Sequence, residues 1–398
     1  MKILARNNQA SMIDKSRMDY DTWLITVTLF MIGLGLVMVA SSSITVADAD
    51  QKYGNNLYFF WRQMVAVSIG LTAAVILMKI PLKMWEQVNL YLLFLGIALL
   101  VLVLVPGIGS KVNGSWRWIK IGGFSLQSSE PVKIIMIMYL AGYLVRQGEK
   151  LRQTLPGFIT PVSVVTLLAG LLLLEPDFGT AVVLFATALG MIFIGGVPLG
   201  RFFAWVLVAC MTLFSLAIVS SYRLQRLTSF VDPWSDPHGS GFQLIQALIA
   251  FGRGEWFGVG LGSSVQKLFY LPEAHTDFVY AVLAEELGLP ASILVILMFF
   301  YLTWRAFVIA GIAEQLDKRF AAYMAYGIGL IIGIQASINL GVNMGLLPTK
   351  GLTLPFISYG SNSVIINCVL IGLLLRVEYE NHHTRKDKIP EVINPYAA

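Results

Sequence analysis

The chain has 398 residues, of which 57% are hydrophobic and only 13% are charged, and its mean hydropathy is +0.73. Apolar runs of about 17 to 22 residues recur along it, long enough to cross a bilayer as helices. This composition excludes a water-soluble globular fold and indicates a polytopic membrane protein. The net charge of +5 at pH 7 is typical of Lys and Arg retained in cytoplasmic loops, so it does not indicate a nucleic-acid partner.

Ten apolar spans predict an all-α polytopic membrane protein with about ten transmembrane helices. The spans cover residues 23–43, 63–78, 88–106, 131–145, 158–174, 180–197, 202–220, 289–309, 320–341 and 363–376. Residues 21–376 are expected to form a single membrane domain. The polar segments 1–20 and 377–398 are predicted to be cytoplasmic tails, either disordered or bound to a partner.

The distribution of basic residues predicts the orientation of the chain. If both termini are cytoplasmic, seventeen of the 28 Lys and Arg residues face inward and eleven face outward. Membrane insertion favours this bias, so we predict cytoplasmic N and C termini. Two outward connections are then too long for simple turns: residues 107–130, and a large extracytoplasmic loop, 221–288, between helices 7 and 8. Within that loop, GFQLIQALIAFGRG predicts an amphipathic helix at the membrane surface.

Basic residues on the outward side run against this bias and therefore need an explanation. As a set they favour a polyanion at the outer leaflet, such as a lipid-linked pyrophosphate, because cations bind it and offset the charge that develops as it leaves. The alternative is that each contacts an ordinary phospholipid phosphate or pairs with a nearby acid. The residues are Arg117, Lys120, Lys133, Arg223, Arg226, Arg253, Lys267 and Lys350.

The segment LPEAHTDFVYAVLAEELG, residues 271–288, concentrates ionisable side chains in a chain where they are scarce. On a helix that begins at Asp277, the carboxylates of Asp277 and Glu285 share one face about 12 Å apart. In a half-dry pocket Asp277 would gain proton affinity and could accept a proton from a sugar hydroxyl. Alternatively, Asp277 caps the helix. We expect His275 to be a hydrogen-bonded neighbour rather than the catalyst.

The segment VNGSWRWIKIGGFSLQSSEPVK leads into the fourth span. Glu130 and Lys133 lie three residues apart there, which fits a local ion pair at the start of a helix. They also fit the wall of an outward cavity beside Arg117 and Trp118. From the sequence, the two interpretations have equal weight.

Two further segments interrupt the apolar sequence. In LPTKGLTLPFISYGSNS, residues 347–363, prolines and glycines occur at membrane depth, where irregular backbone must be covered by protein or line a cavity. This favours a site wall with Lys350 and Ser358 as polar contacts. The turn EPDFGT, residues 175–180, is predicted to be structural, with Asp177 or Thr180 capping the next helix.

These segments resemble the SEDS family of bacterial cell-wall polymerases, over nearly the whole chain. Thr349 and Lys350 followed by Gly351 are closer to the cell-division branch than to the elongation branch. The chain departs from the family pattern at Ser128, where proline is usual, and at Ser361, where glycine is usual. The matching motifs are RWI (117–119), PDFGT (176–180), QKLFYLP (266–272), PEAHTDF (272–278), EELG (285–288) and LPTKGLTLPFISYG (347–360).

The resemblance implies a peptidoglycan glycosyltransferase that polymerises lipid II into glycan strands at the outer face of the bacterial inner membrane, at the division septum. Asp277 corresponds to the essential aspartate of the family and would be the general base. The implied cavity wall is formed by Arg117, Trp118, Glu130, Lys133 and Lys350. We count Ser358, His275 and Glu285 with them as candidate substrate-binding residues.

The implied partners are lipid II and lipid-linked glycan, a class B penicillin-binding transpeptidase and other divisome proteins. No resident cofactor is predicted, and a divalent cation, Mg²⁺ or Mn²⁺, beside the pyrophosphate stays an open alternative. Two other functions also stay open: a lipid II flippase and a non-catalytic division scaffold. The absence of acids near the middle of any predicted span weighs against the flippase.

Overall fold

A computed structural model describes residues 20–49, 54–112, 115–121, 124–219, 230–349 and 351–393. Most of these residues are helical. In chain order the helices are α1 (Thr22–Ala49), α2 (Tyr58–Met78), α3 (Leu82–Leu104), α4 (Ser129–Gln153), α5 (Leu155–Leu174), α6 (Phe178–Ile194), α7 (Leu199–Val219), α8 (Phe242–Gly254), α9 (Val279–Gln315), α10 (Arg319–Asn343) and α11 (Ser361–Ile393). Each predicted span falls on one of these helices, and α8 is the helix predicted in the long loop.

Seven of the described helices are long and apolar enough to cross a membrane: α1, α2, α3, α5, α9, α10 and α11. Helix α6 and the start of α7, Leu199–Ala209, are shorter apolar helices. Exposed apolar side chains such as Phe30, Phe94 and Phe300 cover the outer faces, as expected where lipid is the solvent. The protein is therefore an all-α polytopic membrane protein, and the number of ten crossings stays a prediction.

Helix α10 lies at the centre of the bundle, where it packs against α4, α6, α9 and α11. Small residues allow this close packing. A Cβ at Gly327 would lie 2.6 Å from Ile137 Cγ2, and one at Gly333 would lie 2.8 Å from Thr303 Oγ1. Between membrane helices, van der Waals contact of this kind drives association, because apolar side chains gain nothing by leaving lipid.

The connection between α3 and α4 contains a small antiparallel sheet, which the all-α prediction did not include. Its strands are β1 (Gly109–Val112), β2 (Ser115–Ile121) and β3 (Phe124–Gln127), in that order. Trp118 in the central strand pairs with Ser110 on one side and Gln127 on the other. Helix α4 follows β3 almost directly, so the sheet positions the first turn of α4.

Helix α11 extends beyond the predicted span 363–376 and continues to Ile393, into the polar segment that we predicted to be a cytoplasmic tail, either disordered or bound to a partner. Ion pairs stabilise this polar part. Arg305 on α9 donates a hydrogen bond to Glu378 at 2.9 Å, and Arg376 donates one to Glu380, four residues later, also at 2.9 Å. Such pairs support helix where the sequence is no longer apolar.

Gly288 interrupts α9 with a φ of 75° and a ψ of −167°, a conformation open essentially only to glycine. A Cβ at this position would lie 2.5 Å from both Gly258 N and Trp256 O. The end of the EELG motif is thus glycine because the backbone of residues 256–258 packs directly on it.

We expect Gly288→Ala to lower the free energy of unfolding by at least about 1–3 kcal/mol, because alanine is strained at this φ and its Cβ overlaps backbone atoms. Thermal unfolding in detergent would measure this. Gly311→Ala is the matched control, since Gly311 is on the same helix and a Cβ there meets nothing within 4 Å. Equal melting temperatures for the two variants would contradict the packing argument.

Candidate functional site

The connections predicted to face outward meet at one end of the bundle, which we call the loop end. It comprises the sheet, the turn 175–177, the segment 255–278 and the loop 344–360. Hydrogen bonds join these parts: Arg117 Nε to Glu175 O at 3.2 Å, Asn362 Nδ2 to Ser125 O at 2.8 Å, and Tyr359 N to His275 O at 2.9 Å. Candidate residues that are far apart in the sequence therefore share one end of the molecule.

Asp277 is half-buried and lies two residues before the start of α9. The N-cap residue of α9 is Phe278, so Asp277 does not occupy the N-cap position. The carboxylate of Asp277 faces the loop 344–360, because a Cβ built on Gly351 would lie 3.0 Å from Asp277 Oδ2. Asp277 therefore lies where α9 meets this loop.

Two buried asparagines of α10 hold the backbone of Asp277, and neither was among the residues predicted from the sequence. Nδ2 of Asn339 and Nδ2 of Asn343 donate to the carbonyl oxygen of Asp277 at 3.0 and 2.9 Å. Asn343 Oδ1 in turn accepts a hydrogen bond from Ala281 N at 3.1 Å. A sequence signal was present, since Gln335, Asn339 and Asn343 recur every four residues in an apolar helix.

Glu130 and Lys133 form the predicted ion pair. Lys133 Nζ lies 2.9 Å from both carboxylate oxygens of Glu130, and the two residues are only 3% and 5% exposed. Lys133 Nζ also donates to Gln335 Oε1 at 3.0 Å, and Gln335 Nε2 donates to Thr353 O at 2.9 Å. The pair is thus connected through α10 to the same loop that contacts Asp277.

Arg117 on β2 lies over the turn between α5 and α6. Its guanidinium donates to the carbonyl oxygens of Glu175 and Pro176, and NH1 lies 4.0 Å from Asp177 Oδ1. Asp177 Oδ1 accepts from Thr180 N at 3.3 Å, so Asp177 caps α6 and that prediction is confirmed. Arg117 therefore fastens the sheet to this turn.

Glu175 is fully buried in the same turn, and Ser128 Oγ donates to its Oε2 at 2.9 Å. Burial raises the pKa of the Glu175 carboxyl to about 8 against the opposing effect of the Ser128 hydrogen bond. The neighbouring Asp177 raises this pKa further, and Arg117 opposes the shift. Glu175 is therefore mostly protonated at neutral pH.

His275 contacts the loop 344–360, and Ser358 lies within this loop. The imidazole of His275 lies 4.9 Å from the ring of Phe59 and 5.7 Å from that of Tyr359, centroid to centroid. Burial lowers the pKa of His275 against the opposing effect of Glu273, which favours the neutral ring. Ser358 is buried, and its hydroxyl accepts a hydrogen bond from Leu354 N at 2.8 Å. Ser358 thus closes a turn of its own loop.

Glu285 and Glu286 are fully buried and fasten the segment 264–267 to α9. Glu285 accepts from Ser264 Oγ, and its Oε1 lies 3.1 Å from Arg253 NH1. Glu286 Oε1 lies 2.8 Å from the Nζ of Lys267, which is 5% exposed. Glu285 therefore contacts this segment instead of sharing a helix face with Asp277, because α9 begins only after Asp277.

Most of the outward-side cations that the structure describes already have partners within the protein. Lys133, Arg253 and Lys267 pair with glutamates, and Arg117 binds carbonyl groups. Trp118 is half-buried in β2, and Lys120 is exposed on the same strand. Arg223, Arg226 and Lys350 lie outside the described residues. These four cations are therefore engaged by groups of the protein itself, which is the alternative to binding a polyanion.

Within the described ranges, no group of three or more His, Cys, Asp or Glu side chains is placed to hold a metal ion.

Over residues 21–383 the sequence matches the family FTSW_RODA_SPOVE, described as "Cell cycle protein". The chain belongs to this family. It is 53% identical over 360 residues to the probable peptidoglycan glycosyltransferase FtsW of Nitrosococcus halophilus, covering 90% of the chain and 92% of the relative. It is 51% identical over 364 residues to the protein of the same name from Coxiella burnetii, covering 92% and 97%.

Solved structures of this fold agree with the FtsW/RodA assignment. A chain from a structure described as "Structural coordination of polymerization and crosslinking by a peptidoglycan synthase complex" matches with a TM-score of 0.72 and 29% identity, covering 91% of this chain and 98% of that one. The rod shape determining protein RodA of Thermus thermophilus matches with a TM-score of 0.66 and 26% identity, covering 91% and 97%.

The buried Glu130–Lys133 pair generates a stability prediction for this family member. We expect Lys133→Met to lower the free energy of unfolding by about 3–5 kcal/mol, because it leaves the Glu130 carboxylate buried without its cation. The double variant Glu130→Gln with Lys133→Met should recover most of that loss. Thermal unfolding of the single and double variants in detergent measures both effects. A double variant no more stable than Lys133→Met alone would contradict this account.

The raised pKa of Glu175 predicts a pH-dependent stability difference. Between pH 4.5 and about 8 the folded protein keeps a proton that the unfolded chain has released. The contribution of Glu175 is therefore fully present below pH 4.5 and is lost as pH rises through about 8. Relative to Glu175→Gln, which cannot titrate, the parent should lose melting temperature between about pH 5 and about pH 8. A constant difference between the two across this range would contradict a buried protonated carboxyl.

Proposed function

We propose that this chain is a peptidoglycan glycosyltransferase that polymerises lipid II into glycan strands at the outer face of the bacterial inner membrane. The observation that carries the proposal is the placement of Asp277, a half-buried carboxylate against Gly351 where the loop end meets α9. The curated relatives that are 53% and 51% identical bear the name of this activity, which supports the reaction class.

In the proposed reaction, the Asp277 carboxylate accepts the proton of the attacking sugar hydroxyl. The hydroxyl oxygen forms a bond to the anomeric carbon of the donor sugar. The bond from that carbon to the pyrophosphate oxygen breaks, and the lipid pyrophosphate leaves with the bonding electrons. The chain grows by one disaccharide unit, and the base must release its proton before the next cycle.

Cations near Asp277 would offset the charge on the leaving pyrophosphate. We assign this role first to Lys350, because the next residue in the chain, Gly351, lies against the Asp277 carboxylate. Arg117 and Lys133 are assigned to the surrounding wall with Trp118, Glu130, His275 and Ser358. For Glu285, the buried contacts with Ser264 and Arg253 support a role in holding the loop end in place.

The cellular setting follows from the same proposal. We propose that the protein acts at the division septum, with both termini cytoplasmic, beside a class B penicillin-binding transpeptidase and other divisome proteins. The similarity to a chain of a peptidoglycan synthase complex supports a partner of this kind.

The decisive experiment is glycan formation from purified lipid II by the detergent-solubilised protein with its cognate transpeptidase. We expect Asp277→Asn to lower the rate by about 10²–10⁴-fold, because the amide cannot accept the proton. Glu273→Gln is the matched control. It makes the same charge change in the same segment, at an exposed side chain whose oxygen still accepts from Thr276 Oγ1.

Each outcome of this assay decides between the candidate functions. Polymer from the parent and the control, with none from the folded Asp277→Asn variant, supports the glycosyltransferase. Equal polymer from all three removes Asp277 as the base. If the parent makes no polymer with its partner present, an assay of lipid II transport across vesicle membranes tests the flippase function. A protein that neither polymerises nor transports lipid II but still binds its partner would be a scaffold.

A further inference from the structure

Three amide side chains form a row on α10: Gln335, Asn339 and Asn343, which we call the amide row. Their four-residue spacing puts them on one helix face. All three are buried, with exposed fractions of 3%, 1% and 0%. A buried amide is costly unless it is hydrogen-bonded, so three of them in an apolar helix must find partners within the protein.

The partners of the two asparagines converge on Asp277. Both amide groups donate to the same Asp277 carbonyl oxygen, at 3.0 and 2.9 Å. Asn343 also accepts from Ala281 N, so it holds the first turn of α9 as well as Asp277. Two donors on one carbonyl leave the backbone of Asp277 little freedom to shift or rotate.

The same row holds the opposing loop. Asn339 Nδ2, which donates to Asp277, also donates to the carbonyl oxygen of Leu352. Gln335 Nε2 donates to the carbonyl oxygen of Thr353 at 2.9 Å. Leu352 follows Gly351, against which the Asp277 carboxylate lies. One rigid helix therefore sets the separation between Asp277 and the loop that continues from Lys350.

We propose that Asn339 and Asn343 are positioning residues for glycosyl transfer, which hold Asp277 at a fixed distance from the loop 351–354. This inference rests on the proposed function, in which Asp277 is the base. The amides act through the Asp277 backbone and not on the substrate. A displacement of about 1 Å in a catalytic group can cost about 100-fold in rate, so the restraint bears directly on turnover.

The kinetic test compares Asn339→Ala, Asn343→Ala and the double variant with the parent. Each single variant leaves one donor on the Asp277 carbonyl, so we expect kcat to fall about tenfold in each and about 100-fold in the double variant. KM for lipid II should stay within about twofold, because neither asparagine side chain acts on the substrate in this proposal.

Asn89→Ala is the matched control. Asn89 is also a buried amide, 1% exposed, but it bonds to Glu86 and Arg146 at the opposite end of the bundle. We expect it to lose stability like the other variants and to keep the kcat of the parent. If the three α10 variants also keep the parental kcat while losing stability, their role is purely structural and the proposal is overturned.

A second measurement does not depend on activity. Amide hydrogen exchange should show protection in residues 277–283 falling at least tenfold in the double variant, while protection of α9 beyond Pro290 stays unchanged. Unchanged protection in residues 277–283 overturns the proposal even if activity is lost. If the parent itself makes no polymer, the proposed function fails, and the exchange data still decide whether the amides hold this segment.

Discussion

A polar group buried at membrane depth must find its hydrogen-bond partner within the protein, and the loop end is built around this constraint. Apart from the sheet, its segments have little regular structure, so hydrogen bonds of helices and strands cannot satisfy all their backbone groups. Side chains from the helices do so instead. Asn339 and Asn343 bind the carbonyl of Asp277, while Gln63 on α2 donates to Ser358 O at 3.1 Å and accepts from Gly360 N at 3.2 Å. The paths of the loops therefore depend on where the helices lie.

Ion pairs join the helices at both ends of the bundle, but the pairs at the two ends differ in their exposure to solvent. At the end opposite the loops, Arg305 binds Asp21 and Glu378, which joins α9 to the start of α1 and to α11. The Arg305 side chain is 23% exposed, so water still reaches this network and weakens its charge interactions. At the loop end, Lys267 and Glu286 are almost fully buried, and removing one partner would strand a charge in the interior. Substitutions at the loop end therefore alter stability and site geometry together.

The features predicted well from the sequence are those set by local spacing. Run length located the helices, and the Glu130–Lys133 pair and the Asp177 cap follow from separations of three residues. The features that were not predicted depend on distant contacts. Lys267 donates to Ser41 Oγ across 226 positions, and nothing local to either residue indicates this. The sheet did leave a local signal, since SWRW and IKI within strand β2 each alternate in polarity. The dipeptide Asn113-Gly114, which is typical of hairpins, precedes this strand.

Pairing within the protein also changes how the outward cations can act. A cation already paired with a buried carboxylate attracts a distant pyrophosphate only weakly, since the field of its partner cancels most of its own. Lys133 with Glu130, and Lys267 with Glu286, are therefore poor sources of long-range attraction. In the proposed reaction, Lys350 takes priority over the larger set, because it is adjacent in sequence to Gly351, which lies against the Asp277 carboxylate. The buried pairs then contribute by fixing the framework around Asp277. Separating the two charges of such a pair would leave each buried without its partner, so the helices and segments that carry them are held together.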